Sequence, residues 1–446
     1  MKKIFSCILI AAVFYSVNSF SQIGNTIRLT NGNNDRNPSF CPITSFINFG
    51  YYGFEFMVFE RWSGVNSQIC VTKIGPEGAV DSTVYITNDS FSNINPVILY
   101  NMPVFPGLIN IAFIAWQSDK FGKECIFGSY YESVSGWSAP FIIDSSGTDN
   151  KKPSIIEIND PLYIIAYESG DDIKYKKFNR LTQETIVERN LTLQEPQVCT
   201  NPQVTGNINS VFIAYEKEFS ASHKAIYFRS GHSDSIPYTG NLSDTLVYTD
   251  VNHIVGYGRK SLMNHIIYET NKNGNIDLYT ENLSNHLQYS IVVNSAYDNL
   301  NYAGTDIVIT DAITNYIFTY IRKSTSALRF IFANKFNPEI DVLNLKISSN
   351  PLYSSNITVG NGVRIPDLPC QRFWFVYNKD SLNINYPSVI FGIPYTNCVT
   401  EVNQHLISHP DDFYLSQNYP NPFNPVTHLE FGIWNFGFGI CVFESL

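Results

Sequence analysis

The sequence predicts an all-β fold made of seven repeated, four-stranded antiparallel sheets, and three observations support this prediction. Aromatic residues make up 15% of the 446 residues and charged residues only 15%, which is typical of β-rich exported proteins. A pattern of paired apolar segments recurs along most of the chain. No copy of this pattern shows the spacing of apolar residues that an amphipathic helix requires.

The chain begins with a segment typical of a cleavable signal peptide. Lys2 and Lys3 precede the apolar residues 4–17, and small serines follow at the positions that a signal peptidase reads. We therefore predict that residues 1–21 are a signal peptide, cleaved before Gln22. The apolar segment has 14 residues, fewer than the roughly 20 that cross a hydrocarbon core. No later segment is long and apolar enough either, so we expect no stable membrane insertion.

Residues 22–400 contain seven copies of the repeat. In each copy an apolar segment ends in an aromatic residue, here called the pivot, and a polar turn then leads to a second apolar segment. Successive pivots are 48 to 57 residues apart, which is enough for four short strands and their turns. The pivots are Phe59, Trp116, Tyr167, Tyr215, Tyr268, Tyr320 and Tyr377.

Each of these sheets needs a neighbour to cover its apolar faces. Seven such sheets close most naturally into a seven-bladed β-propeller, which we predict for residues 22–400. A six- or eight-bladed ring and a pair of β-sandwiches are the alternatives. The short alternating segment at residues 27–30 precedes the first copy, and we predict that it pairs into the last sheet and fastens the ring.

A dipeptide ending in proline precedes the pivot in four copies, and we call its first residue the marker. Proline is tolerated at the first residue of a strand, so we predict that these dipeptides open the innermost strand of each sheet. They are Asn37-Pro38, Asn95-Pro96, Lys152-Pro153 and Asn201-Pro202.

The cysteines lack the C-x-x-C spacing of a metal site. A few disulfides or isolated buried thiols are the two interpretations that an exported chain allows. Cys41 with Cys70 and Cys370 with Cys398 have similar separations along the chain, and both pairings stay open.

The C-terminal part of the chain carries a proline-rich motif after a polar segment at residues 401–411, which we predict to be a linker. The motif resembles the opening of the type A sorting domain of the type IX secretion system, found at the C-termini of exported proteins in Bacteroidota and their relatives. This resemblance implies recognition by the type IX secretion machinery. The residues that match are Gln417, Asn418, Tyr419, Pro420, Asn421, Pro422, Phe423, Asn424, Pro425 and Thr427.

Sorting domains of that family continue through several further strands, whereas this sequence has few residues after the motif. We therefore expect residues 412–446 to be a truncated sorting domain. The resemblance implies a secreted or cell-surface protein, or a periplasmic one if the truncated domain is not recognised.

Charge and motifs argue against several classes of function. A net charge of -10 disfavours a nucleic-acid partner, because binding phosphates needs clustered Lys and Arg. The sequence has no G-x-S-x-G, H-E-x-x-H or phosphate-binding glycine motif. His405 and His409 lie in the predicted linker without an evident third ligand. We therefore predict no metal, no cofactor and no catalytic residue.

Candidate ligand-facing residues follow or lie near the pivots. Glu60, Glu168, Glu216 and Glu269 come directly after their pivots, and equivalent positions of a propeller lie on one ring. A glycosidase needs two nearby carboxylates, but a residue repeated in most copies more often bonds an adjacent turn. Aromatic side chains at Trp62 and Trp137 are candidates for stacking against a sugar.

The repeat resembles the blades of secreted sialidases and related glycoside hydrolases. Sialidases carry S-x-D-x-G-x-T-W boxes and an arginine triad that holds a carboxylate sugar, and neither is recognisable here. Arg61, Arg259, Arg322 and Arg372 are explained as scattered surface residues. We therefore predict a non-catalytic module that binds a protein or a glycan. A degenerate propeller-type glycoside hydrolase or lyase and a purely structural cell-surface module are the alternatives.

Overall fold

A computed structural model describes much of the chain as β-strands connected by turns. It divides the chain into two compact units, Met1–Cys398 and Val399–Leu446. The residues described are 19–23, 27–30, 34–40, 55–75, 80–101, 111–193, 195–206, 209–220, 223–234, 245–249, 251–257, 265–270, 277–284, 287–292, 299–309, 313–322, 327–334, 345–346, 354–364, 370–379, 389–399, 413–415 and 431–433. Most of the predicted signal peptide, the predicted linker and the sorting motif lie outside these residues.

The described residues of the first unit form seven antiparallel sheets, numbered here by the order of their first strands. Two short strands, β1 (Ser19–Ile23) and β2 (Ile27–Arg28), precede sheet one and belong to sheet seven. Sheets one to three contain β3 (Asp35–Phe40), β4 (Glu55–Trp62), β5 (Ser67–Ile74) and β6 (Val84–Tyr85); β7 (Asn93–Asn101), β8 (Ile111–Ser118), β9 (Cys125–Glu132), β10 (Gly136–Trp137) and β11 (Phe141–Asp144); and β12 (Asn150–Asn159), β13 (Leu162–Ser169), β14 (Asp172–Asn179) and β15 (Glu184–Asn190).

Sheets four to seven continue the same order. They contain β16 (Val198–Gly206), β17 (Val211–Ser220), β18 (His223–Gly231) and β19 (Thr245–Thr249); β20 (Val251–Tyr257), β21 (His265–Thr270), β22 (Asp277–Asn282) and β23 (Leu287–Val292); β24 (Asn299–Ile309), β25 (Ile313–Arg322), β26 (Ala327–Asn334) and β27 (Leu345–Lys346); and β28 (Ser354–Arg364), β29 (Cys370–Lys379) and β30 (Val389–Val399). In the second unit, β31 (Phe413–Leu415) pairs with β32 (Phe431–Ile433).

Burial within a sheet falls from its second strand to its outer strand. In sheet three, residues 163–167 of β13 are each at most 1% exposed, whereas Ile186 of the outer strand β15 is 51% exposed. A strand that is apolar on both faces is typical of a sheet covered on both sides. The pivot falls in the second strand of every sheet, and the five pivots with described side chains are fully buried, each 0% exposed. These five pivots therefore belong to the core.

Neighbouring sheets contact each other through their first strands. These contacts run from β3 to β7, β12, β16, β20, β24 and β28, and β28 also contacts β3. Residues 27–30 pair with the last strand of sheet seven, as predicted. Ile27 lies opposite Gly392, and the Leu29 N–H donates to the carbonyl of Ile390 over 2.9 Å.

The structure confirms an all-β fold of antiparallel sheets, five of which have the predicted four strands. Sheets two and seven each gain a fifth strand. In sheet seven the additional strand β1 spans the predicted cleavage position before Gln22. Among the described residues there is no helix with the length and apolar character of a membrane span.

The marker dipeptides lie inside the first strands, two or three residues after the strand begins, so the prediction that they open the strand is wrong. Each one interrupts the register with the second strand as a β-bulge. A bulge leaves one residue unpaired, which is why a proline fits there without breaking the ladder. The markers Asn37, Asn95, Lys152 and Asn201 have φ values of 48°, 53°, 48° and 51°.

Candidate functional site

In sheets one to five, the residue after the pivot is a polar group in the protein interior. Glu60, Gln117, Glu168 and Glu216 are 1%, 4%, 7% and 0% exposed, and Glu269 is 0% exposed. A buried carboxylate is costly unless hydrogen bonds or a counter-charge replace the water that it has lost. The partners of these side chains therefore decide what the residues do.

In sheets one to four, the first partner of the post-pivot residue is the marker side chain of its own sheet. In three sheets an asparagine amide donates to the post-pivot oxygen, and in sheet three the ammonium of Lys152 takes this place. The distances are 2.6 Å from Asn37 Nδ2 to Glu60 Oε1, 3.0 Å from Asn95 Nδ2 to Gln117 Oε1, 3.1 Å from Lys152 Nζ to Glu168 Oε1 and 2.8 Å from Asn201 Nδ2 to Glu216 Oε1.

In sheets one to three, the second partner is the marker backbone of the next sheet. The same post-pivot oxygen accepts a hydrogen bond from that N–H group, so one oxygen joins two markers in adjacent sheets. We call this arrangement a latch. The distances are 2.8 Å from Asn95 N to Glu60 Oε1, 3.3 Å from Lys152 N to Gln117 Oε1 and 2.8 Å from Asn201 N to Glu168 Oε1.

The latches bear on the alternative that the acidic residues face a ligand. Glu60 and Glu216 also have a cation on the second carboxylate oxygen, from Arg36 at 3.1 Å and Lys224 at 3.4 Å. A glycosidase needs one carboxyl group that donates a proton and another that is free to attack or to activate water. The latch geometry favours a structural role for these glutamates.

A pocket of about 330 Å³ lies at one end of sheet one. It is formed by the end of β4, the turn to β5 and the segment after β6. Trp62 is half-buried and Tyr85 is 49% exposed. The lining residues are Arg61, Trp62, Ser63, Asn66, Gln68, Tyr85, Asn88 and Asp89. We call this cavity the Trp62 pocket.

The cation of the Trp62 pocket is already paired. Arg61 Nε and Nη2 donate to the two carboxylate oxygens of Asp35 over 2.7 and 3.0 Å, and Nη1 donates to the Tyr85 hydroxyl over 3.1 Å. Asp35 is fully buried. Its hydrogen bonds raise the pKa of the Arg61 guanidinium, more than burial lowers it. The guanidinium is therefore held in place by a buried counter-charge.

The wall of the pocket is tied to the sheet by side-chain hydrogen bonds. Gln68 Nε2 donates to the carbonyls of Asp89 and Phe91 over 2.9 and 3.1 Å, and its Oε1 accepts from the Asp89 N–H over 3.1 Å. Asn66 Nδ2 also donates to the Asp89 carbonyl, over 3.2 Å. The segment after β6 is thereby fixed against the turn.

The structure gives the two candidate tryptophans different surroundings. Trp62 lines the pocket with the Arg36 guanidinium 5.1 Å from its ring centroid. Trp137 is half-buried, lies edge-on to Phe56 and is tilted against Tyr131, with 5.3 Å between ring centroids in both pairs. Trp137 therefore packs against the core, whereas Trp62 borders an open cavity.

Sequence reasoning missed three marker positions and the second aromatic residue of the pocket. The bulges of sheets five to seven fall at Asn252, Asn301 and Asn356, where no proline follows to reveal them. Tyr85 lies in a two-residue strand too short to recognise. Asparagine tolerates a positive φ better than most residues, so an asparagine recurring early in six of the seven first strands was the available signal.

No family model matches the sequence, and no curated protein matches it. Solved structures similar to the chain include an acylaminoacyl peptidase from Pyrococcus horikoshii, with 8% identity over 90% of this chain and 58% of the peptidase, at a TM-score of 0.42. The Dos1 propeller has 9% identity over 84% of this chain and 95% of its own, at a TM-score of 0.39. A Hadza microbial sialidase has 10% identity over 81% of this chain and 65% of the sialidase, at a TM-score of 0.39.

The chain thus spans less than two thirds of the peptidase and of the sialidase. With TM-scores below 0.5, these similarities carry no conclusion about its activity. The described residues form an all-β repeat protein with latched sheets and a polar, aromatic pocket.

Proposed function

We propose that this chain is an exported, seven-bladed β-propeller that binds a protein or a glycan and catalyses no reaction. The blade count rests on the seven sheets, on the contacts between successive first strands and on the contact of β28 with β3. The pairing of β2 with β30 adds a join between the beginning and the end of the ring. Cleavage before Gln22 leaves β2 intact.

The latch is the observation that supports binding without catalysis. Among the glutamates first considered for glycoside chemistry, Glu60 and Glu216 bind the markers with one oxygen and Arg36 or Lys224 with the other. Glu168 binds two markers with its Oε1. Breaking a latch to free a carboxylate exposes unpaired donors in the interior. The Trp62 pocket, by contrast, is open and lies outside the latches.

Export is supported by two sequence segments. Residues 1–21 have the order of charge, apolar core and small residues of a signal peptide. Residues 417–427 match the type IX sorting pattern. Together they support a protein at the cell surface or in the medium, with the type IX secretion machinery as a partner, or a periplasmic protein if the truncated sorting domain is not recognised.

Binding and catalysis are tested on the chain from Gln22 onward. We expect it to retain ligands on a glycan array and to leave chromogenic glycosides, including sialosides, intact. Turnover that a single substitution such as Glu60→Gln or Glu168→Gln abolishes would contradict the proposal and favour the glycoside hydrolase. A matched control is Glu184→Gln, on the exposed outer strand of sheet three.

Export is tested in a host that has a type IX secretion system. We expect the N-terminus of the mature protein to be Gln22, and a reporter that carries residues 401–446 to reach the cell surface. Replacing Pro420 and Pro422 by alanine should retain the reporter in the periplasm. Equal surface display of the unsubstituted and the alanine-substituted reporter would contradict the proposed sorting role of residues 417–427. It would not affect the binding proposal.

A further inference from the structure

We propose that the Trp62 pocket is a binding site for a single neutral sugar ring. This inference rests on the proposed binding function and assigns it to one place in the fold. The volume of the Trp62 pocket, about 330 Å³, falls at the lower end of the range for small-molecule sites. A cavity of this size accepts a monosaccharide or the terminal ring of an oligosaccharide.

The pocket departs from the repeat, which separates it from features that serve the fold. Trp62 lies three residues after its pivot. In the other six copies the equivalent residues are small, polar or charged, namely Asp119, Gly170, Glu218, Asn271, Lys323 and Asp380. A side chain required to build every sheet recurs in every sheet. A tryptophan in one copy alone, beside an open cavity, is therefore explained by a ligand.

The aromatic and polar groups of the pocket are suited to a sugar. Aromatic faces pack against the C–H face of a pyranose, and a few fixed polar groups orient its hydroxyls. Trp62 and Tyr85 supply the rings. Among the described residues, no protein group bonds the Asn88 side chain, and the hydrogen bonds of Asp89 with Phe91 and Asn93 use Oδ1. The Asn88 amide and Asp89 Oδ2 are thus available to hydroxyl groups.

The charges of the pocket favour a neutral ligand over an acidic one. The Asp35 carboxylate already occupies two donors of Arg61, so a carboxylate sugar would have to compete with a buried counter-ion. Asp89 adds a negative charge to the lining. Sialic acid and uronic acids therefore bind less well than uncharged sugars.

The pocket is formed before a ligand arrives. Gln68 and Asn66 fix the segment after β6 through hydrogen bonds to Asp89 and Phe91. A preformed wall reduces the ordering that binding would otherwise require. We therefore expect an affinity on the order of millimolar for a monosaccharide. Nuclear magnetic resonance can measure binding of this strength.

The experiment titrates the chain from Gln22 onward with glucose, galactose, mannose, N-acetylglucosamine and N-acetylneuraminic acid. The readout is the indole N–H resonance of Trp62, assigned with Trp62→Phe, and for every variant also the saturation transferred from the protein to the sugar protons, which does not need the indole. We expect a saturable shift with at least one neutral sugar and a smaller response to the acidic one. Trp62→Ala should weaken binding about tenfold or more, and Asn88→Ala about two- to tenfold.

The controls keep the inference falsifiable. Asn88 is exposed, so Asn88→Ala reports on the pocket even if Trp62→Ala fails to fold. Phe219→Ala removes an aromatic ring that is 46% exposed in sheet four and should leave binding unchanged. No response to any neutral sugar, a preference for N-acetylneuraminic acid, or binding that Trp62→Ala and Asn88→Ala leave intact would overturn the inference. If both variants leave binding intact, the binding function stands at another site. Turnover of a glycoside would instead contradict the proposed binding function itself.

Discussion

Glu60 Oε1 accepts a hydrogen bond of 2.8 Å from the backbone N–H of Asn95, although the two residues lie in different sheets and 35 residues apart. The equivalent bonds of Gln117 with Lys152 and of Glu168 with Asn201 show that this is a repeated joint. Neighbouring sheets are thus connected by a directional bond in addition to their apolar contacts.

Replacing Glu60 tests the energy of this joint. Glu60→Ala should lower the free energy of unfolding by about 2–4 kcal/mol, because it leaves the Asn37 amide and the Asn95 N–H without an acceptor. Glu60→Gln should cost less than about 1 kcal/mol, since Gln117 performs the same role in sheet two. Urea unfolding measures both. Equal losses for the two variants would show that the charge of Glu60, rather than the latch, provides the stability.

Lys152 is the only described marker that is not asparagine, and it has a positive φ of 48°. Asparagine adopts this conformation at less cost than lysine. Lys152→Asn should therefore keep or raise the melting temperature, with its amide replacing the ammonium on Glu168. Lys152→Val should lower it, because a β-branched residue is strained at positive φ. A melting temperature lowered equally by both variants would contradict this explanation.

Asp144 makes stability depend on pH. Its buried carboxylate accepts from the Tyr167 hydroxyl over 2.5 Å and lies 3.4 Å from Lys176 Nζ. Burial alone raises the pKa of Asp144, but hydrogen bonds from Ser146 and Tyr167 and the charge of Lys176 outweigh it and lower the pKa. The folded state then holds fewer protons than the unfolded state, so this contribution is complete at neutral pH. This contribution to stability is lost as the pH falls below about 3.9, the ordinary pKa of an aspartate side chain.

Urea midpoints measured from neutral to acidic pH check this dependence. Asp144→Asn should be less stable at neutral pH and should lose part of the acid dependence. Glu184→Gln, on the exposed outer strand of sheet three, should follow the unsubstituted protein at every pH. An unchanged acid limb in Asp144→Asn would show that other carboxyl groups account for it.

The register of sheet seven bears on one of the open disulfide pairings. Cys370 and Cys398 lie directly opposite each other on β29 and β30. Opposed Cα atoms in antiparallel pairs are about 4.5–5.5 Å apart, within the range of a disulfide. We expect oxidised glutathione to oxidise the two thiols to a disulfide. The two hydrogens and two electrons that the cysteines lose reduce oxidised glutathione to two molecules of reduced glutathione. Peptide mapping without a reductant would reveal the linked pair.

The remaining described cysteines provide the comparison. Cys70 and Cys125 are free, buried thiols, and Cys199 is buried as well. Burial raises the pKa of Cys70 to about 12, so its thiolate is scarce at neutral pH. We expect Cys70 to react with iodoacetamide only after unfolding. A linkage of Cys70 to Cys41 would contradict the buried thiol, and Cys41 lies outside the described residues.

The repeat was visible in the sequence because it depends on local patterning. Each pivot lies in the second strand of a sheet, as a short apolar segment ending in an aromatic residue predicts. Residues 27–30 were also placed correctly, since a single unpaired strand before the first copy has few possible partners. The position of each sheet in the series follows from period and order alone.

The site was less predictable because its parts meet only in three dimensions. Gln117 reaches Lys152 across a sheet boundary, and nothing in the local pattern states which turn will be adjacent. Tyr85 joins Trp62 in the pocket, although it comes from β6, two strands further along the chain. Trp137 shows the converse, because its local sequence predicted exposure and the rings of Phe56 and Tyr131 cover it.

The pairing of β2 with β30 sets the order of events during synthesis. The hydrogen bond between Ile390 and Thr30 connects residues 360 positions apart. A ribosome must therefore make nearly all of the first unit before sheet seven can acquire its early strands, and contacts of such long sequence separation form slowly. Until then both halves of the join are unsatisfied. A chain that cannot finish folding as it emerges remains threadable by a secretion pore for longer than one whose terminal strands pair locally.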